Sequence, residues 1–190
     1  MIHKNGNFGT PDIHKLSHVD PLAVIIGRVT VEEQVIIAPC ASIRADEGTP
    51  FLIGHGTNVQ DQVVFHGLRD QWFEVDGVQW SIYVGSHCSI AHCACIHGPA
   101  VIGKKTFVGV RSTVWGSFVG RNCYIGFHCL VMGVRIPPNR FVPHGSHILR
   151  QEDADALPEI PSEYQGFNRE VVDVNKRLCE LHRTVRSEEL

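Results

Sequence analysis

The chain has 190 residues, with 17 Lys and Arg against 20 Asp and Glu, 12 His, a formal net charge of −3, 43% hydrophobic and 19% charged residues. This composition belongs to a folded domain large enough to build its own core; it excludes long disorder, a collagen-like fibre and binding to nucleic acid through bulk positive charge. No run approaches the roughly 20 apolar residues of a membrane-spanning helix, and the charged or polar residues His3, Lys4, Asp12, His14 and Lys15 stand where an export signal would be apolar. The expectation is a soluble, cytoplasmic protein with no membrane and no nucleic-acid partner. The odd count of seven cysteines argues for a reducing compartment over a disulfide framework.

In chain order, aliphatic residues recur every sixth position at Ile25, Val31, Ile37 and Ile43, then at Ile53, Val59 and Phe65. They resume at Val84, Ile90, Ile96, Ile102, Val108 and Val114, slip by one residue to Val119, Ile125 and Val131, and end with Ile136, Val142 and Ile148. Small or β-branched residues recur four positions later, among them Thr57, Cys88, Thr106, Ser112, Cys123 and Cys129, and Gly often follows directly, as at Gly54, Gly85 and Gly103. Neither a helical period nor simple alternation gives this pattern, and it predicts an all-β fold, a left-handed parallel β-helix of hexapeptide repeats. Three repeats per coil give about six coils, the first starting at Val31. Two loops, 46–50 and 66–83, are then inserted at one corner, where function is usually carried.

The predicted domain with its N-terminal arm spans 1–148, and 149–190 forms a linker and a C-terminal helix. Pro158 and Pro161 mark the linker, Asn168 is a candidate N-cap, and Val171, Val174, Leu178, Leu181 and Val185 form an apolar stripe expected to lie on the β-helix flank.

His66 and His97 each follow the third aliphatic position of consecutive coils. Stacking at about 4.8 Å lets both reach one cation at ~2.0–2.1 Å. His92 points away from this pair, so it can join only from a neighbouring subunit packed around a threefold axis. Three His ligands with an open position are the donor set of catalytic zinc. Cys93 and Cys95 add thiols beside two of these histidines and make inactivation by oxidation an expectation, whereas Cys88, Cys123 and Cys129 fill the small-residue slot.

The segments Ser42-Ile43-Arg44-Ala45-Asp46-Glu47-Gly48, Asn58-Val59-Gln60-Asp61, Val64-Phe65-His66-Gly67 and Ser89-Ile90-Ala91-His92 through His97-Gly98-Pro99-Ala100 resemble the gamma-class carbonic anhydrases over about residues 20 to 178. The match extends to the carbonic-anhydrase-like N-terminal domain of carboxysome proteins, whose segments Arg44 to Phe51 and Arg111 to Val114 resemble. The resemblance implies a homotrimer with zinc, or iron(II) or cobalt in its place, held by His66 and His97 of one chain and His92 of the next. It implies that CO2 and bicarbonate are the substrates and that Glu47 handles the proton. It further implies that Gln60 orients the reacting water, that Asn175 positions Gln60, and that Arg44 and Asp61 tie subunits together. Arg69 stands where archaeal members carry a glutamate in a longer acidic loop, and Asp173 replaces a tyrosine before Asn175. These departures keep two other functions in view: a weak or silent trimeric scaffold that meets carboxysome components, and a metal-free acyltransferase of the same fold using His as general base.

Overall fold

A computed structural model describes residues 2–3 and 8–188 of the chain. The six-residue step produces three parallel sheets that form the faces of a prism, and the aliphatic residue of each short strand points inward. The first face has seven strands, from Asp12–Ile13 to Arg135–Ile136; the second has seven, from His18–Val19 to Phe141–Val142; the third has eight, from Ile2–His3 to His147–Ile148. Ile25, Ile43, Ile53, Ile90, Ile96 and Ile125 are fully buried in the single core that runs the length of the prism.

The β-helix therefore has seven complete coils and the third-face strand of an eighth, more than the six expected from Val31 onward. Ile13 and Val19 extend the same six-residue step backward to Ile25. They are only partly buried and stand among charged residues at the open end, which masks their phase in the sequence.

The corners repeat with the same regularity. Between the first and second faces, Gln34, His87, Lys105, Asn122 and Asn139 hold φ of 53° to 62°; between the second and third, Cys40, Gln62, Cys93, Arg111 and His128 hold φ of 55° to 60°. Both insertions leave the corner between the third and first faces. The longer carries an antiparallel hairpin, Phe73–Val75 with Val78–Trp80, which Phe73 pins against Phe118 while the Arg135 guanidinium lies over both rings.

Small residues four positions after the aliphatic one tie coil to coil. Thr57 Oγ1 donates to Gly85 O at 2.9 Å and accepts from Cys88 N at 3.1 Å. Thr106 repeats this with Gly120 O and Cys123 N, and Ser112 with Gly126 O and Cys129 N. The thiols of Cys88, Cys123 and Cys129 donate to carbonyls of the next coil at 3.1 to 3.2 Å. Burial pushes Cys88 up to about 12 and Cys123 up to about 11, so these thiols stay protonated fillers.

The segment read as a linker is built into the fold. Helix α1, Gln151–Asp155, buries Ala154, and with Leu157 it closes the exposed end of the core, as a terminal cap of a solenoid must. The aromatic rings of Tyr164 and Phe167 dock on an outer cluster of Phe107, Tyr124 and Phe141, which project outward from the second face. Helix α2, Phe167–Glu188, then runs along that face. Asn168 lies inside its first turn, where Nδ2 donates to His87 O at 2.9 Å.

The α2 stripe is rotated from its predicted position. Val172 and Cys179 are the buried residues, while Val174, Leu178 and Leu181 are 54%, 39% and 59% exposed; Val171 is half-buried, and the Val185 side chain lies outside the described residues. The reason is that the outer surface of the second face offers carbonyls as well as rings. The helix turns Asn168 and Cys179 toward them, Asn168 Nδ2 donating to His87 O and the Cys179 thiol reaching Val35 O at 3.4 Å, an oxygen that already accepts from His18 N. Among the described residues no helix is long and apolar enough to cross a membrane.

A glycine that follows the aliphatic position accommodates the approach of the next coil. A Cβ on Gly103 would meet Arg121 N and Gly120 C at 2.5 Å, both backbone atoms that cannot swing aside. Gly103→Ala is expected to cost about 1–3 kcal/mol through overpacking, at roughly 2–4 °C of Tm per kcal/mol for a chain of this size. Thermal unfolding followed by circular dichroism checks this, and an unchanged Tm would contradict the packing argument.

Candidate metal centre

In-register pairing places Arg44, His66, His97, Trp115 and Met132 in one column along an edge of the third face. Each follows an inward aliphatic residue, so all project outward. His66 Nδ1 and His97 Nε2 face each other at 3.4 Å. The far side of the His66 ring turns Nε2 toward two carboxylates, Asp46 Oδ1 and Glu47 Oε2, both at 3.7 Å. The far side of the His97 ring turns Nδ1 toward Gly98 O at 3.2 Å. The carboxylates lie beyond hydrogen-bond distance of His66, whereas the two facing imidazole nitrogens lie within it, the donor being set by the tautomer.

A proton or a cation can bridge two imidazole nitrogens at this distance. Ligand nitrogens at 2.0–2.1 Å from a tetrahedral ion stand about 3.3–3.4 Å apart, the spacing of this imidazole pair. The surroundings hold the pair still. Trp115 stacks on His97 with ring centroids 3.6 Å apart and planes within 8°. Arg44 grips Asp46 Oδ2 through Nε and Nη2 at 3.1 and 2.9 Å, which leaves Asp46 Oδ1 buried with no hydrogen-bond partner beside His66. Burial, more than any neighbouring charge, holds the His97 pKa below the usual imidazole value.

The remaining predicted residues sit across the third face, at its corner with the second. His92 Nδ1 contacts Asp61 Oδ2 at 2.8 Å, with 53% and 47% of the two side chains exposed. Gln60 Nε2 donates to Asn58 Oδ1 at 3.0 Å, and buried Asn58 is itself anchored on Ser89 Oγ at 2.8 Å. Asn175 is half-buried on α2, and its amide donates to Val171 O at 2.9 Å. Within one chain the residue that orients Gln60 is thus Asn58, and Arg44 and Asp61 pair with Asp46 and His92. No group of three or more His, Cys, Asp or Glu within one chain forms a metal site among the described residues. Cys93 and Cys95 are free thiols; the Cys93 thiol donates to Gln62 Oε1, and burial raises the pKa of Cys95.

The predicted site residues therefore fall in two groups, at opposite edges of one face. The chain is 40% identical over 182 residues to the carbonic anhydrase of Methanosarcina thermophila, covering 90% of this chain and 74% of that protein. This chain belongs to the gamma-class carbonic anhydrase family. It is also 45% identical over 167 residues to the carboxysome assembly protein CcmM of Nostoc sp. and 41% identical over 168 residues to CcmM of Synechococcus elongatus. Those alignments cover 87% and 88% of this chain but 30% and 31% of the CcmM proteins, so the chain spans under a third of their length, the extent of a carbonic-anhydrase-like N-terminal domain. No protein-family model matches. Among solved structures, a Bacillus cereus protein of proposed acetyltransferase activity superposes with TM-score 0.78 at 22% identity over 93% of both chains. A hexapeptide transferase family protein from Anaplasma phagocytophilum gives 0.74 at 18% identity, over 90% and 92%. At these identities the likeness establishes the fold alone.

Asn58, Asp46 and Trp115 are the site residues that motif reasoning passed over. Two of them carry a signal, Asn58 standing two residues before Gln60 and Trp115 directly after the inward Val114, one coil beyond His97, whereas Asp46 lies in the first insertion, outside the strand register. Asn58→Ala strips Gln60 and Ser89 of their shared partner. It is expected to cost about 1–3 kcal/mol through buried polar groups left unpaired, measured by urea unfolding; a loss below a few tenths would mean that the amide relay carries no strain.

Proposed function

We propose that this protein catalyses the reversible hydration of CO2 to bicarbonate and a proton, at a zinc site completed between subunits of a homotrimer. The observation that carries this reading is the pair of facing imidazole nitrogens, 3.4 Å apart, with no third candidate ligand grouped with them among the described residues. His92 of an adjacent subunit supplies the third ligand. A zinc ion so held, or iron(II) or cobalt in its place, supplies a water acid enough to ionise near neutral pH, the property known for zinc in carbonic anhydrases generally.

The chain's own residues do the rest. Glu47 Oε2 lies 3.7 Å from the outer nitrogen of His66, Nε2, and its side chain is 42% exposed, so in this reading it passes a proton from the site to solvent. Asp46, tied to Arg44, keeps His66 oriented. Gln60 has its amide nitrogen committed to Asn58, which leaves its carbonyl oxygen to accept from a reacting water. The site faces an aqueous surface, in keeping with a cytoplasmic or carboxysomal setting and with carboxysome components as partners of the assembly.

A second reading, the catalytically weak scaffold, is favoured by the long insertion. Its hairpin is pinned to the first face by Phe73, Trp72 Nε1 ties it to Thr49 O at 2.9 Å, and none of its carboxylates contacts His66 or His97 among the described residues. Proton export then rests on Glu47 alone.

Stopped-flow CO2 hydration and metal content, measured on one anaerobically purified sample, separate the two readings. Activity with about one metal per chain supports the enzyme, and metal without activity the scaffold. His66→Ala and His92→Ala are each expected to be inactive. Refolding the two variants together in equal amounts should restore roughly a quarter of the wild-type sites, because a mixed threefold ring contains one intact interface; no recovery would place the site within one chain. Glu47→Gln should keep its metal and lose about 100- to 10,000-fold in kcat, with part of the loss recovered by imidazole buffer; an unchanged rate would remove Glu47 from the proton path.

A further inference from the structure

A cavity of about 800 Å³ lies between the first–second corner of the β-helix and the segment 159–176, apart from the imidazole pair. Its size is that of a small-molecule site. One wall is a ladder of successive corner residues, His87, Lys105, Asn122 and Asn139, all held at positive φ. Consecutive coils put these side chains about 4.8 Å apart, and Asn122 Nδ2 donates to Asn139 Oδ1 at 2.9 Å. The opposite wall brings Lys176, Arg169 and Asn168 from α2.

Charge and hydrogen bonding in the cavity are unfinished. Lys105, Lys176 and Arg169 enter no ion pair among the described residues, even though Asp173 and Glu159 share the lining. Lys176 lies close to His87, since a Cβ on Gly56 would meet Lys176 Cε at 2.7 Å and His87 Nδ1 at 2.6 Å. The cluster resists further positive charge: burial first, then Lys176, His55 and Lys105, lower the His87 pKa, against a weaker opposite pull from Asp173. Asn168 spends its Nδ2 on His87 O, and its Oδ1 is a buried acceptor with no partner. Deeper in, Tyr124 and Tyr164 present rings 4.8 Å apart, with Ile160 and Val172 beside them.

We propose that this cavity binds a phosphorylated metabolite of nucleotide size that carries hydroxyl donors and a flat ring. Lysine ammonium groups bind phosphate as point charges, and Arg169 adds a fork of donors matched to phosphate oxygens. The amides of Asn122 and Asn139 and the orphaned Asn168 Oδ1 call for hydroxyl or amino groups in the middle of the ligand, because a buried acceptor left unpaired is costly. The tyrosine wall takes the ring. Bicarbonate, the small anion of the proposed reaction, would fill a minor part of this volume and leave the tyrosines and Asn168 unused.

Isothermal titration calorimetry of the full chain with AMP, ribose 5-phosphate and inorganic phosphate tests the proposal apart from any metal. AMP is expected to bind most tightly and phosphate least. Lys105→Gln with Lys176→Gln should weaken AMP at least tenfold, and Tyr164→Leu should weaken AMP but not phosphate. Lys105 is exposed, so Lys105→Gln alone serves if the double variant fails to fold. Failure of all three probes to bind at about 1 mM, unchanged affinity in the lysine variants, or phosphate binding as tightly as AMP would each overturn the assignment.

Discussion

Every functional feature of this molecule depends on strict register between successive coils. Backbone N–H groups of one coil donate to carbonyls of the next at 2.8 to 3.2 Å, as Asn58 N does to Cys88 O and Ser89 N to Thr106 O. Side chains are thereby sorted into columns about 4.8 Å in rise. A column can hold glycine, where coils approach; hydroxyls and thiols, where coils are stitched; or left-handed corners, where the chain turns. The column Arg44, His66, His97, Trp115 gives the centre its order of parts: a guanidinium that fixes a carboxylate, two imidazoles, and an indole lid. The core built by Phe65, Ile96 and Val114 holds the two imidazoles at this spacing, which preorganises the pair.

The sequence was most legible where one residue type recurs on a fixed step. The six-residue period, the corner that carries both insertions, and the pairing of His66 with His97 all follow from counting, because backbone register converts sequence phase directly into space. Legibility failed where phase does not decide. Ile13 and Val19 belong to the series but sit at an end, where half-burial lets charged neighbours interrupt the pattern. Leu178 and Leu181 have helical spacing, yet α2 turns Asn168 and Cys179 toward carbonyls that no periodicity reports. The expected link from Asn175 to Gln60 is occupied by Asn58, whose burial on the second face emerges only once α2 covers that face.

The outer aromatic column on the second face shows how the same register also builds the second cavity. Phe107, Tyr124 and Phe141 follow Asn58 and Ser89 in one column, so the surface beneath the C-terminal segment changes from polar to aromatic along the prism axis. The polar end holds Gln60. The aromatic end anchors Tyr164 and Phe167, and the gap between them and the corner ladder is the cavity. One segment, 159–188, thus shapes two sites without supplying an imidazole to either.

The proposed division of the metal centre between subunits agrees with where apolar surface is left uncovered. Val64, Trp115 and Met132 are 40%, 39% and 42% exposed on the third face, and Val174, Leu178 and Leu181 are open on α2. The third face carries the imidazole pair on one edge and His92 on the other, so a contact that unites unlike edges is heterologous and must close into a ring or grow without end. A prism of three faces turns its surface by about 120° from one face to the next, which favours closure after three subunits. Such a ring would cover the apolar side chains in the step that brings His92 to the waiting pair, and the hydrophobic gain of assembly would favour that step.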